Sequence, residues 1–173
     1  MKQKQRANYD IFNTRWGWFG VLAYDGQLVR TRLADTEKEA VKNRLLQGID
    51  GAERNKNAFL ILKMRILDYY NGRPVDFDDV KVRLAALTPF QRDALTALRA
   101  VRYGQTITYI QLARMAGRPK AARAVGSVMA VNPLPLIIPC HRVIKSDGAI
   151  GHFSAFGGTN TKKRMLELEK RGR

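Results

Sequence analysis

The chain has 173 residues, 45% of them hydrophobic, which is enough for one domain or two small ones with an adequate core. No apolar run approaches the ~20 residues that span a bilayer, one cysteine excludes an intrachain disulfide, and two histidines add little toward a zinc cage. The net charge is +16: residues 81–173 hold 17 Lys/Arg against 4 Asp/Glu, residues 1–80 only 14 against 11, so the second half carries the footprint of a polyanion, with nucleic acid preferred over acidic lipid.

The first residues, Met1 to Arg6, are basic, but no signal-type apolar core comes after them. Trp16 to Tyr24 and Gln27 to Leu33 flank Asp25-Gly26, a pair that predicts a type I′ hairpin. Trp16 and Trp18 read as hairpin core. Thr36 with Glu39 fits a capping box opening a helix to about Gln47. Gly51 to Lys56 is polar and reads as a loop. Ala58 to Tyr70 is a second helix, ended by Asn71-Gly72 and Pro74. Asp76, Asp78 and Asp79 read as a solvated turn rather than a metal site.

The second half reads as helices. Thr88-Pro89-Phe90-Gln91 combines an N-cap, a proline at the first helical position and a capping-box glutamine. Phe90, Ala94, Leu95 and Leu98 then fall on one face. After a break at Tyr103-Gly104, Thr108 with Gln111 is a second capping box, opening a short helix that Gly117 stops. Arg118-Pro119-Lys120 is a turn, and Ala121 to Val131 is the next helix, stopped by Asn132-Pro133. Two short helices across a tight turn form the helix-turn-helix pattern. The second is made of small residues with one long cation, Arg123, near its start. Such a helix can pack deep in a protein, or press its backbone against DNA.

Residues 137–144 read Ile-Ile-Pro-Cys-His-Arg-Val-Ile, with Cys140 the only cysteine. A single cysteine is commonly a small apolar filler. Here three prolines, Pro133, Pro135 and Pro139, stiffen an apolar run that ends on the thiol, beside an imidazole and a guanidinium. Positive charge or a base raises the thiolate fraction, so this pattern points to a nucleophile. A cysteine hydrolase is a weaker reading, because adjacent Cys and His side chains rarely face each other as a dyad. A DNA-binding module without chemistry would have no use for the thiol. His152 reads as a surface histidine.

Thr108-Tyr109, Ala121-Ala122-Arg123-Ala124-Val125-Gly126, Asn132-Pro133 and Ile138-Pro139-Cys140-His141-Arg142-Val143 together strongly resemble the O6-alkylguanine-DNA alkyltransferase family. The resemblance covers residues 85–170 well and the first part only in general shape. It implies an α/β fold: a small N-terminal α/β, ribonuclease-H-like unit over residues 1–84, and a helical C-terminal domain over 85–173 with a helix-turn-helix. It implies direct DNA repair, in which O6-alkylguanine is flipped out of the duplex and its alkyl group passes irreversibly to Cys140 in a single turnover. His141 would act through a water, Glu169 (with Glu167 the alternative) would orient it, and Asn132 would brace the turn before the active segment. Tyr109 would press on the target's 3′ phosphate and donate to guanine N3. Arg123 would fill the vacated stack, on a DNA-facing surface with Ala121, Ala122, Ala124, Gly126 and Ser127. Met129, Pro135, Phe153 and Ser154 would line the pocket, and the Val143 carbonyl would read the guanine amino group. No metal and no cofactor are implied. The partner is double-stranded DNA carrying O6-alkylguanine, with O4-alkylthymine a second lesion; no membrane is involved and the protein is a monomer. The implied location is the cytoplasm, associated with the nucleoid, or the nucleus in a eukaryote. The stretch from Ser154 to Lys162 is about two residues longer than in many members, and Phe153 stands where tyrosine is frequent.

Overall fold

The computed structural model describes residues 6–172, so Met1 to Gln5 of the basic start lie outside the described residues. Its order is β1 (Ala7–Thr14), β2 (Gly17–Tyr24), β3 (Gln27–Asp35), α1 (Lys38–Leu46), β4 (Glu53–Arg54), a 3-10 turn (Asn57–Phe59), α2 (Leu60–Tyr70), α3 (Pro89–Leu98), β5 (Ile107–Thr108), α4 (Tyr109–Met115), α5 (Ala122–Ala130), a 3-10 turn (Cys140–Arg142), β6 (Val143–Ile144) and α6 (Gly158–Arg171). The fold is mixed α/β, a small sheet unit succeeded by a largely helical part.

The main sheet has the order β3-β2-β1-β4, with β4 parallel to β1 and the other pairs antiparallel. Asp25 (φ 47°) and Gly26 (φ 76°) both have positive φ, as the I′ hairpin between β2 and β3 requires. Strand β1 carries no strong alternation and is not apparent from sequence; pairing with β2 along its whole length makes it a strand. The polar stretch 51–56 holds the two-residue β4, because Arg54 donates to the buried Asp10 (3.1 Å) and to the Ile11 carbonyl (3.0 Å). The capping box expected at Thr36 and Glu39 does not form. The cap of α1 is Glu37, and the buried Asp35 takes the Glu37 N–H (3.1 Å) and the Thr36 hydroxyl instead. Both other capping boxes form as read, at Thr88/Gln91 and Thr108/Gln111.

Each face of the sheet has its own core. Ile11 and Leu22 pack against Val41 and Leu45 of α1. Gly20 makes this approach possible, since a Cβ there would meet Leu45 Cδ2 at 3.0 Å. On the other face Phe12, Phe19 and Val21 join Tyr69 and Tyr70 of α2, Leu95 and Leu98 of α3, and Leu134 to Ile138 in one continuous core. That core crosses the position 84/85 boundary, so the two parts are packed as neighbours. Trp16 and Trp18 are only partly buried, Trp16 lying edge-on to Tyr70 and under Arg164, 3.8 Å from its ring centre. Residues 81–83 run along β3, joined through Leu28 N–H to Lys81 and Arg83 N–H to Leu28.

The three aspartates after α2 take up arginines: Asp79 pairs with Arg65, Asp78 with Arg102, and Asp76 with Arg102 (3.5 Å) and Arg142 (3.9 Å) while also accepting the Tyr103 N–H. Among the described residues no helix is long and apolar enough to cross a membrane, and no three ligating side chains converge as for a metal.

Candidate active site

The helix α5 ends at Ala130, and Asn132 organises the segment from there to the cysteine. Its side-chain amide donates to the Ile138 carbonyl (2.9 Å) and its oxygen accepts from Leu134 N–H (3.0 Å), closing the apolar run into a compact loop. Leu136 adopts a left-handed φ of 77°, a conformation that costs of order 1–3 kcal/mol and persists only where surroundings over-determine it. Those surroundings are an all-buried wall of Leu134, Leu136, Ile137 and Ile138, and the buried residue Thr31 of β3. Thr31 donates its N–H to Pro133 O (2.9 Å) and its hydroxyl to Pro135 O (2.8 Å). Pro139 (φ −82°, ψ 64°) then makes an inverse γ-turn, with Cys140 N–H donating to Ile138 O at 2.8 Å. Cys140, His141 and Arg142 come next as one buried 3-10 turn.

Glu169 of α6 is the hub beneath this turn. It accepts from Arg142 (Nε to Oε2, 3.1 Å; Nη2 to Oε1, 3.1 Å), from Tyr69 OH (3.0 Å) and from Gly104 N–H (2.9 Å), and lies 2.6 Å from His141 Nε2. Glu167 is exposed on the outer side of α6, so of the two candidates Glu169 is the one that meets His141. Burial pushes the Glu169 carboxyl up, but His141 and Arg142 outweigh it and hold its pKa at about 2. For His141 burial is the largest effect and lowers the pKa despite the carboxylate beside it. The imidazole is therefore neutral at pH 7. With Nε2 facing a carboxylate, its proton belongs on Nε2, leaving Nδ1 a free acceptor without a partner among the described residues.

Burial also raises the Cys140 thiol; Asn132, the Lys162 ammonium and the N–H groups of Cys140 and His141 pull the other way. Lys162 is 1% exposed, and its Nζ donates to the Val143 carbonyl at 2.6 Å. The parallel pairing of β5 with β6 carries Tyr109, the first residue of α4, to this segment. Its ring lies 5.8 Å from Lys162 Nζ, and its hydroxyl leans on Gly151 so closely that a Cβ there would approach to 2.3 Å. Burial, then Cys140, raises its pKa.

Cys140 opens on a cavity of about 480 Å³. One wall is Met129, Pro133 and Pro135; a second is the loop Phe153 to Phe156; a third comes from β3 and α1 through Arg30, Arg32 and Arg44. Of the expected pocket residues, Met129, Pro135, Phe153 and Ser154 line this cavity. Ser154 donates its hydroxyl to the Ala130 carbonyl (2.9 Å). Val143 does not line it: the residue is fully buried and its carbonyl is occupied by Lys162, because the parallel bridge to Ile107 turns it inward. On α5, whose cap is Ala121, the residues Arg123, Ala124 and Ser127 share an exposed face while Val125, Val128 and Met129 are buried; Ala121, Ala122 and Gly126 lie between. Arg123 has no ion-pair partner among the described residues. His152 is an exposed loop residue, as read.

Tyr69, Lys162, Thr31 and the three arginines belong to the site but not to the expectations drawn from sequence. A signal for Lys162 was present: Lys162, Met165 and Glu169 fall at helical spacing, and two charged residues on the buried stripe of a helix mark a polar centre. Tyr69 has no such signal, since a tyrosine on an apolar face reads as core.

The profile of the 6-O-methylguanine DNA methyltransferase DNA-binding domain matches residues 89–171. A mouse methylated-DNA–protein-cysteine methyltransferase is 52% identical over 86 residues, 46% of this chain and 40% of that protein. The chain thus spans about two fifths of the mouse relative's length. A protein of the same description from Methanothermobacter thermautotrophicus is 36% identical over 129 residues, 72% of this chain and 70% of the relative. The crystal structure of Mycobacterium tuberculosis OGT in complex with DNA superposes with a TM-score of 0.79 at 29% identity, covering 95% of this chain and 94% of that one.

Proposed function

The chain belongs to the methylated-DNA–protein-cysteine methyltransferase family, and from that premise we propose that it repairs DNA directly, moving the alkyl group of O6-alkylguanine onto Cys140 once per molecule. The observation that carries this reading is Cys140 on the cavity wall, next to a neutral His141 whose Nδ1 is free and whose Nε2 is held 2.6 Å from Glu169.

The Cys140 thiol passes its proton through a water to His141 Nδ1, and Glu169 stabilises the imidazolium that forms. The thiolate attacks the alkyl carbon in line; the S–C bond forms as the C–O6 bond breaks, and the electron pair leaves on guanine. Tyr109 donates to the departing base at N3, and the proton lost by the thiol is finally returned to guanine, leaving an S-alkyl cysteine. The thioether has no route back to thiol, which makes the event stoichiometric. Lys162 adds positive charge near the sulfur, and its bond to the Val143 carbonyl competes with any use of that carbonyl for the guanine amino group.

The target atom is on a base edge, so the nucleotide must leave the stack, at a cost of a few kcal/mol. The exposed face of Arg123, Ala124 and Ser127 lets the α5 backbone approach DNA, with Arg123 long enough to fill the gap. The basic second half supplies sequence-independent phosphate attraction. O4-alkylthymine is the second lesion proposed for the same cavity. Intact-mass measurement after incubation with an O6-methylguanine duplex tests the proposal. The expected result is a gain of one methylene mapped to Cys140, saturating at one equivalent, and none for Cys140→Ser. Repeated turnover, or labelling at another residue, would overturn it.

A further inference from the structure

The arginine wall of the Cys140 cavity has no part in the alkyl transfer itself. Arg30 is structurally engaged: its Nη1 donates to the carbonyls of Leu45 (2.7 Å) and Gln47 (2.8 Å), tying β3 to the end of α1. Arg44 pairs with Asp35 and lies over the Phe156 ring at 5.7 Å, bridging the sheet unit to the loop before α6. Arg32 differs from both. Its Nη1 donates to the carbonyl of its own neighbour, Thr31 (2.9 Å), and no carboxylate among the described residues is within ion-pair distance of it. Burial first, then Arg30 and Arg44, lower its pKa to about 10.

Three arginines thus line one space, and of the three only Arg44 has a carboxylate partner, Asp35, among the described residues. Such crowding is repulsive until an anion enters. A guanidinium presents parallel N–H donors that match two oxygens of a carboxylate or phosphate. The placement is also fixed. Thr31, between Arg30 and Arg32, is bonded to the carbonyls of Pro133 and Pro135, so β3 holds these cations in register with the segment that carries Cys140.

We propose that Arg32, supported by Arg30 and Arg44, forms an oxyanion subsite in the wall of the Cys140 cavity, for an anionic oxygen group of the damaged DNA. Two sources share this chemistry: the phosphodiester next to the damaged nucleotide, and a carboxylate borne by the alkyl adduct itself. The subsite rests on the reading of Cys140 as the acceptor, and it gives the sheet unit a role in the substrate site.

The test compares wild type, Arg32→Gln and Arg32→Lys in single-turnover reactions on duplexes carrying O6-methylguanine or O6-carboxymethylguanine. Binding of an undamaged duplex is measured across salt. Arg32→Gln should lose about tenfold in rate on at least one lesion, the size of a charge-assisted contact, and Arg32→Lys, which keeps the charge but not the parallel donor pair, should recover part of it. An equal loss on both lesions, with a salt slope shallower by about 0.9, assigns the phosphodiester. A loss confined to the carboxymethyl duplex, with an unchanged slope, assigns the adduct carboxylate. Wild-type rates in Arg32→Gln on both duplexes would overturn the proposal. So would an Arg32→Lys protein as slow as Arg32→Gln with both melting temperatures lowered, since Arg32 would then only support β3. If wild type itself transfers no methyl group, the alkyltransferase reading fails, and binding of the two lesion duplexes decides the subsite: weaker binding of either by Arg32→Gln supports it, and wild-type binding of both overturns it.

Discussion

Replacing Glu169 by Gln removes one charge from the centre of the site while keeping its shape. In the native chain the carboxylate accepts from His141, Tyr69, Arg142 and Gly104, and its pKa is about 2 against an ordinary 4.5. A pKa depressed on folding contributes stability that is fully present above the unfolded value and lost as pH falls through the folded one. A shift of this size corresponds to roughly 3 kcal/mol at pH 7, declining to roughly 1.5 kcal/mol at pH 3. The amide has one acceptor oxygen instead of a charged pair, and it leaves the buried Arg142 with only the more distant Asp76 (3.9 Å) as counter-ion; breaking a buried pair in this way costs about 3–5 kcal/mol. Thermal and urea unfolding of wild type and Glu169→Gln from pH 7 to pH 3 measures this. The variant is expected to melt about 9 °C lower at pH 7, at about 3 °C per kcal/mol for a chain of this size. The gap should narrow by about half at pH 3. A gap that stays constant with pH would refute the electrostatic account, because the lost energy would then be shape and not charge. The rate of methyl transfer should fall about a hundredfold at pH 7, as the imidazolium loses its counter-ion.

The other expectations concern neighbours of the thiol and the sheet. Lys162→Met removes the cation that holds the Cys140 pKa down against burial, so the pH profile of iodoacetamide alkylation should move to higher pH; an unmoved profile would show that Lys162 only anchors the Val143 carbonyl. Gly151→Ala puts a Cβ 2.3 Å from the Tyr109 hydroxyl. It should slow methyl transfer about tenfold or more while changing the melting temperature little; an unchanged rate would remove Tyr109 from the reaction. Gly17→Ala meets the Asp35 carbonyl at 2.5 Å at a φ of 119°, and should cost about 2 kcal/mol or more in urea unfolding. Full stability there would mean that the turn between β1 and β2 relaxes freely.

Legibility tracked the range of the interactions. The I′ hairpin at Asp25-Gly26 and the capping boxes at Thr88 and Thr108 were readable because each is closed by residues within four positions. The expected box at Thr36 failed because Asp35, a buried neighbour paired with Arg44, took the donors first. Strands β1 and β4 were not readable, since their pairing partners lie elsewhere in the chain. In the site, the motif around Cys140 marked the thiol, His141 and Asn132. Choosing Glu169 over Glu167 needed the rotation of α6 against the Cys140 turn, which no local spacing encodes.

The sequence by itself determined the local chemistry: a solitary thiol after a proline-stiffened run, a helix pair with small residues, and a basic second half. Each is a property of residue type and near-neighbour spacing. Only the tertiary structure decided which distant groups gather around the thiol's turn and its cavity. Tyr69 arrives from α2, Glu169 and Lys162 from α6, and Arg32 from β3, because two cores fix the angles between these elements and the sequence does not state those angles. The same packing turned Val143 inward, away from the cavity. The physical reason is that helix and turn signals are local free energies, whereas the site is assembled by burial, which depends on the whole chain at once.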